Sequence, residues 1–221
     1  MTNIILGETC LLGYQLRRLG VVDGPTQLFE NMLVTAEGVH SFIKNNCADI
    51  IDEEYTQHLY YSYYPQDNIA YSKWVNSKYA PINPNLFSWP VFAFFHYDSF
   101  NEEEKSSILR KRDRLKESLT NKDTLNLYYY YRYCEGANLE RIKSELKSIS
   151  KTIEELYKSK AKVFLIDKVD SSNQGIITNI DGCVVHATFY SPNSWVKADD
   201  NWNASIDNGL FDIYKNTVLK S

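Results

Sequence analysis

The sequence lacks the patterns that mark several common classes of protein. Its four cysteines are widely scattered and form no Cys-x-x-Cys pair, so a structural zinc site has no support. No window holds the ~18 apolar residues that a membrane-spanning helix needs, and no basic segment precedes an apolar stretch near Met1. The 24 basic and 28 acidic residues give a net charge of −4, which disfavours nucleic acid as a partner. We therefore expect a cytoplasmic protein with reduced thiols, no membrane span and no bound nucleic acid.

What the chain contains instead is an alternation of short apolar runs with longer amphipathic segments. Such alternation predicts an α/β fold, with a mainly parallel sheet flanked by helices. The 221 residues fit a single domain. Residues 46–88 are rich in tyrosine and contain three prolines, and we expect them to be an irregular, aromatic-rich insertion. Strands are predicted at residues 4–6, 91–95, 125–131, 163–166, 176–180 and 183–189, and helices at 10–19, 102–118, 138–159 and 208–219.

Two stretches in the second half of the chain have recognisable connections. Residues 125–166 have the spacing of a strand, a helix and a strand in a βαβ unit, and Asn138 is a good N-cap for that helix. Asp181 and Gly182 form a hairpin-type turn signal between the last two strands.

The stretch from Asn3 to Leu19 carries the main functional signal. The apolar run at residues 4–6 predicts a buried strand, Gly7 allows a sharp turn, and helical spacing begins near Cys10. A thiol at the first residue of a helix meets unpaired backbone N–H groups and the positive end of the helix dipole. Both favour the thiolate, which is the nucleophilic form of cysteine.

A nucleophilic cysteine needs a base, and two histidines are candidates. His96 ends the apolar run at residues 91–95, and Asp98 is a candidate to orient it. His186 lies in an alternating strand pattern, where a hydrogen-bonded structural histidine is the more common role. Since sites in parallel sheets form beyond the carboxyl ends of the strands, we expect Cys10 and His96 at the same edge of one sheet. His96, Asp98 and His186 lack the spacing that is diagnostic of a metal site.

Substrate contacts are predicted at two places. The backbone N–H groups of Cys10 and Leu11 are suited to hold an oxyanion, with Gly7, Glu8 and Thr9 completing the turn around the substrate. Arg110 and Arg112 lie in a basic run that would hold an anionic substrate group, although such a run is more often a solvated helix face.

These residues resemble a known family. The opening Ile-Ile-Leu-Gly-Glu-Thr-Cys-Leu-Leu-Gly-Tyr-Gln-Leu-Arg-Arg-Leu-Gly, the later Phe-Phe-His96-Tyr97-Asp98 and the arginine-rich segment 110–114 are similar to the bacterial papain-like cysteine peptidase family. The resemblance implies that Cys10 is the nucleophile and His96 the base. Similar cysteine machinery also serves acyltransferases in bacterial antibiotic and surface-polysaccharide pathways.

The expected function is therefore a hydrolase or acyltransferase that forms an acyl-enzyme on Cys10. The substrate would be a small molecule, a peptide or a glycan, with acyl-coenzyme A or an acyl carrier as a candidate acyl donor and no resident cofactor. The alternatives are an acyltransferase that modifies a polysaccharide or secondary metabolite, and a binding module in which the tyrosine-rich segment recognises a glycan or protein. The sequence does not reveal the oligomeric state.

Overall fold

A five-stranded sheet forms one half of the protein. The computed structural model describes residues 1–7, 12–13, 16–17, 20–64, 69–82, 92–94, 102–121, 124–131, 138–169 and 177–190. The sheet has the order β1-β6-β7-β9-β8, and every pair is parallel except the β8–β9 hairpin. Its strands are β1 (Thr2–Ile5), β6 (Thr124–Tyr131), β7 (Lys160–Val169), β8 (Ile177–Asp181) and β9 (Val184–Tyr190). The predicted α/β character and mostly parallel sheet are confirmed.

The βαβ unit and the hairpin form where the sequence predicts them. Helix α3 (Leu139–Tyr157) connects β6 to β7, and the Asn138 side chain accepts hydrogen bonds from the amides of Glu140 and Arg141. The turn between β8 and β9 has Gly182 at φ +61°, a conformation that glycine adopts without strain. At the end of α3, Leu156 is exposed and Tyr157 packs on the core.

A second, antiparallel sheet lies in the part of the chain between β1 and β6. Its order is β2-β5-β4-β3, and its strands are β2 (Leu33–Val34), β3 (Thr56–Tyr64), β4 (Ile69–Asn76) and β5 (Phe92–Phe94). Residues 56–64 and 69–76 form a long, regular hairpin within the segment for which we expected irregular structure. The sequence signal was weak because consecutive tyrosines in this stretch hide the alternation of apolar and polar residues.

Two further helices and a short 3₁₀ segment complete the described fold. The 3₁₀ segment is Leu28–Asn31, α1 is Ala36–Lys44 and α2 is Glu102–Thr120. Helix α2 buries Ile108, Leu115 and Leu119, whereas Leu109 is exposed. The helix predicted at residues 208–219 lies outside the described part of the chain. None of the helices that the structure describes is long and apolar enough to cross a membrane.

One hydrophobic core connects the two sheets. Leu127 and Tyr129 of β6 and Leu165 of β7 belong to the same buried cluster as Phe92 and Phe94 of β5. Inside this cluster the Tyr129 hydroxyl accepts a hydrogen bond from the Ala36 amide at the start of α1, with an oxygen–nitrogen distance of 3.1 Å. The bond satisfies a donor that no residue of α1 itself could pair. The second sheet is therefore packed on the first sheet through α1 and their shared core.

Gly7 is the point where β1 meets the second sheet. The residue has φ +101°, and a Cβ atom placed on it would overlap Cγ2 of Val34 in β2. Its carbonyl oxygen still accepts a hydrogen bond from Tyr130 of β6 at 3.2 Å. Glycine is required here for both its conformation and its size.

The expectation that Cys10 and His96 follow strands of one sheet is wrong. Strand β5, which precedes His96 in the sequence, pairs with β2 and β4 of the antiparallel sheet, while β1 pairs with β6. The five-residue apolar run suggested a buried strand correctly, but burial alone does not identify the sheet to which a strand belongs.

Replacing Gly7 tests the contact between the sheets. The substitution Gly7→Ala should lower the free energy of unfolding by about 2–4 kcal/mol, because it combines left-handed backbone strain with overlap on Val34. Gly24→Ala is the matched control, since Gly24 also has positive φ but has no atom near the position of an added Cβ. Chemical denaturation should give the control a loss of only about 1–2 kcal/mol. Equal losses for the two variants would contradict the proposed close packing.

Candidate functional site

The predicted site at the first turn is described by the structure only in part. Gly7 lies two residues after the end of β1. Residues 12, 13, 16 and 17 are helical, and we call these four residues the N-terminal helical segment. The order of strand, left-handed glycine and helix therefore agrees with the sequence prediction. Six predicted site residues lie outside the described residues: Glu8, Thr9, Cys10, Leu11, His96 and Asp98.

The N-terminal helical segment packs on one defined face of the five-stranded sheet. Leu12 and Leu16 belong to a buried cluster with Ile5, Tyr130 and Phe164. Gly13 lies so close to Glu30 that an added Cβ would come within 2.9 Å of its Cγ and Oε2. This helical segment therefore covers the face of the sheet opposite to α3, whose buried residues pack with Leu127 and Leu165.

A buried ion pair holds the N-terminal helical segment in place. Arg17 donates to both carboxylate oxygens of Glu30, from Nε to Oε2 at 2.8 Å and from Nη2 to Oε1 at 2.6 Å. The same guanidinium donates to the carbonyl oxygens of Gly24 and Pro25. The hydrogen bond that Arg17 donates to Glu30 raises the pKa of the guanidinium above its ordinary value, against the opposing effect of burial. The Glu30 side chain is only 7% exposed, so this bidentate pair is well shielded from water.

His186 lies on the face of the five-stranded sheet that α3 covers. Its neighbours Val185 and Ala187 belong to the cluster of the N-terminal helical segment, so alternation along β9 directs His186 to the α3 face. There its Nε2 atom lies 3.4 Å from Oδ2 of Asp167 on β7. The structure therefore does not bring His186 to the face on which Leu12 and Leu16 pack. The sequence did not single out Asp167, because its pairing depends on the register of two strands.

The basic helix α2 contributes to a cavity, but through residues other than those predicted. Arg110 is exposed, and Arg112 donates from Nε to Asp113 Oδ1 at 2.7 Å. A cavity of about 380 Å³ lies instead beside Lys111 and Arg114, between α2 and the open edge of β1. Lys111, Arg114, Leu115 and Ser118 have the spacing i, i+3, i+4, i+7 of a single helix face, and this spacing is the sequence signal that would have identified them.

The structure describes two cysteines, Cys47 and Cys183, and neither is the proposed nucleophile. Cys47 is fully buried, and its sulfur lies 3.8 Å from the Tyr157 hydroxyl oxygen. Burial raises the pKa of the Cys47 thiol to about 11, with the Tyr157 contact acting in the opposite direction. Cys183 is half-buried in the β8–β9 hairpin. Cys47 therefore serves as packing, and it provides an internal reference for an unreactive thiol.

Comparisons with known proteins do not add a family assignment. Neither a protein-family model nor a curated protein nor a solved structure matches this chain. Among the residues that the structure describes, no group of three or more histidine, cysteine, aspartate or glutamate side chains is arranged to hold a metal ion.

Removing Arg17 tests the anchoring of the N-terminal helical segment. Arg17→Met should lower the free energy of unfolding by about 3 kcal/mol, because it leaves the buried Glu30 carboxylate without its guanidinium partner. Adding Glu30→Gln should restore part of the loss, since the neutral amide keeps an oxygen to accept the bond from the Gln27 amide. Arg110→Met, on the exposed face of α2, should change stability by less than about 0.5 kcal/mol in the same urea titration. A loss no larger than that of Arg110→Met would contradict an anchoring role.

The pKa of Cys47 predicts a specific pH dependence of stability. The native thiol stays protonated up to about pH 11, whereas the unfolded thiol ionises near its ordinary value of 9.0. The contribution of the Cys47 thiol to the free energy of unfolding is therefore fully present below pH 9. This contribution falls by roughly 2–3 kcal/mol as the pH rises toward 11. Urea titrations of the wild type and Cys47→Ala across this range should show a steeper fall for the wild type, and parallel curves would contradict the assignment.

Proposed function

We propose that this protein is an enzyme that uses the Cys10 thiol for nucleophilic acyl chemistry, with His96 as its base. The proposal agrees with the family resemblance of the opening stretch, of His96 and Asp98, and of the arginine-rich segment. Cys10 and His96 themselves lie outside the residues that the structure describes.

The first support is the sequence of conformations around Cys10. The cysteine stands three residues after Gly7, which turns the chain with φ +101°, and two residues before the helical Leu12. A cysteine in such a position receives the N–H groups and dipole of a helix start, which lower the pKa of a thiol. The ion pair between Arg17 and Glu30 fixes the helical segment relative to the turn.

The observation that carries the proposal is the contact of Gly7 with Val34. Val34 pairs with Phe92 of β5, so the turn after β1 and the strand before His96 both contact β2 although β1 and β5 belong to different sheets. Strand β5 runs antiparallel to β2, and its carboxyl end is therefore directed toward the part of the chain where Glu30 contacts Gly13. This shared contact with β2 supports the proposal that the two candidate residues act together.

The choice of His96 over His186 follows from the faces of the sheet. His186 is directed to the α3 face and lies beside Asp167, whereas the N-terminal helical segment packs on the opposite face. A general base must reach the nucleophile directly or through one water molecule. The five-stranded sheet lies between His186 and the face on which the N-terminal helical segment packs. This arrangement supports the proposal of His96 as the base and Asp98 as its orienting group.

The proposed reaction has two stages. The Cys10 thiolate attacks a thioester, ester or amide carbonyl carbon, and the oxyanion is held by the backbone N–H groups of Cys10 and Leu11. Collapse breaks the bond to the leaving group, which takes the proton from His96, and an acyl-enzyme remains. Water or an acceptor hydroxyl or amine then gives its proton to His96 and attacks the acyl carbon, which releases the thiolate. Hydrolysis and acyl transfer differ only in this acceptor.

Acylation by generic donors tests the proposal. The wild type incubated with p-nitrophenyl acetate or hexanoyl-coenzyme A should gain one acyl group, and peptide mass spectrometry should locate it on Cys10. Cys10→Ser should lose the thioester adduct, while the matched control Cys183→Ser should keep it. His96→Asn should slow acylation by about 100-fold or more, the usual contribution of a general base, and His186→Asn should leave the rate within about threefold.

Thiol labelling gives an independent readout. Iodoacetamide near neutral pH should modify Cys10 first and Cys47 last, because a thiol reacts as its thiolate. Equal labelling of all cysteines, together with no adduct from either acyl donor, would refute the enzymatic proposal.

A further inference from the structure

The cavity between β1 and α2 is separate from the chemistry proposed for Cys10. It lies along β1, which is the edge strand of the five-stranded sheet among the described residues, and the Gln27 side chain hydrogen-bonds there with the Asn3 carbonyl and the Ile5 amide. Its volume of about 380 Å³ lies within the usual range for small-molecule pockets, roughly 300–1,000 Å³. The space is therefore large enough for one small organic molecule.

The cavity has a cationic end formed by α2. Lys111 and Arg114 both line it, one helical turn apart. Arg114 is fixed there, since its Nη2 donates to the Thr26 carbonyl oxygen at 3.0 Å. A guanidinium has five N–H donors in a planar fork, so a group held by one bond can still present others to a ligand. These side chains favour a carboxylate or phosphate group.

One acidic residue is among the described residues that line the cavity. This residue, Asp23, is exposed at the rim. The chain as a whole has a net charge of −4, so a positive cavity is contrary to its average charge. Residues 110–116 of α2 contain five basic side chains and one acidic side chain, which adds to the positive potential at this end.

Apolar side chains also line the cavity. Val22, Leu28 and Leu115 face the same space, and each is buried in the fold. Ser118 adds one hydroxyl beside them. We propose that this cavity binds a small organic anion, with its carboxylate or phosphate group against Lys111 and Arg114 and its apolar body against Val22, Leu28 and Leu115. The proposal does not depend on the acyl chemistry, because it uses none of the residues proposed to react.

Binding of three related probes tests this proposal by isothermal titration calorimetry. Phenylacetate and phenyl phosphate present the two acidic groups on one apolar body, and 2-phenylethanol is the neutral counterpart. We expect at least one anion to bind with a stoichiometry of one and a Kd of about 1 mM or tighter, as is usual for ligands of this size. The neutral probe should bind at least about tenfold more weakly, the equivalent of one charged hydrogen bond. Whichever acid binds more tightly identifies the preferred head group.

Charge-matched variants separate a site from general attraction. Lys111→Gln should weaken binding of the anion by about tenfold, while Arg110→Gln, on the exposed face of the same helix, should change it by less than about twofold. Ser118→Leu, which fills the apolar part of the cavity and keeps both cations, should also reduce the affinity. The inference is overturned if neither anion binds at 10 mM, or if Arg110→Gln weakens binding as much as Lys111→Gln. Neither result would bear on acylation of Cys10.

Discussion

The close contact of Gly7 with Val34 is the constraint on which the arrangement of this protein depends. Strand β1 belongs to the parallel sheet, yet the chain at its end must pass against the Val34 side chain of β2 while the Gly7 carbonyl still accepts a hydrogen bond from the Tyr130 amide. Only a residue without a Cβ and with access to positive φ meets both conditions. The contact joins the end of β1 to β2, which pairs in turn with β5, the strand that precedes His96 in the sequence.

The two sheets are joined by polar as well as apolar contacts. The hydroxyl of Tyr129, on the parallel sheet, accepts a hydrogen bond from the first amide of α1. Helix α1 in turn packs Phe42 against Phe92 of the antiparallel sheet. Phe42 also meets Tyr79 edge-on, with ring centroids 5.1 Å apart. Aromatic pairs of this kind add directional preference to burial. Tyr79 is therefore connected to the core that the two sheets share through the aromatic rings of Phe42 and Phe92.

Two pairs of polar side chains and the cationic cavity lie at different faces or edges of the parallel sheet. The N-terminal helical segment lies on one face, held by Arg17 and Glu30, and the pair of His186 with Asp167 lies on the other. The cationic cavity occupies the open edge of β1, along α2. A strand alternates its side chains between faces, so neighbouring residues of one strand contribute to unrelated environments. His186 therefore lies on the opposite face of the parallel sheet from the N-terminal helical segment.

The sequence by itself determined the features that depend on a few neighbouring residues. The glycine turn after β1, the Asn138 cap, the βαβ unit and the Asp181–Gly182 hairpin follow from turn chemistry and periodicity, which act within one or two turns of chain. Only the tertiary structure decided that Phe92–Phe94 joins the antiparallel sheet, that His186 meets Asp167, and that Lys111 and Arg114 line the cavity while Arg110 faces water. The physical reason is that strand partners and buried helix faces are selected by contacts between residues far apart in the chain, whose energies no local pattern records.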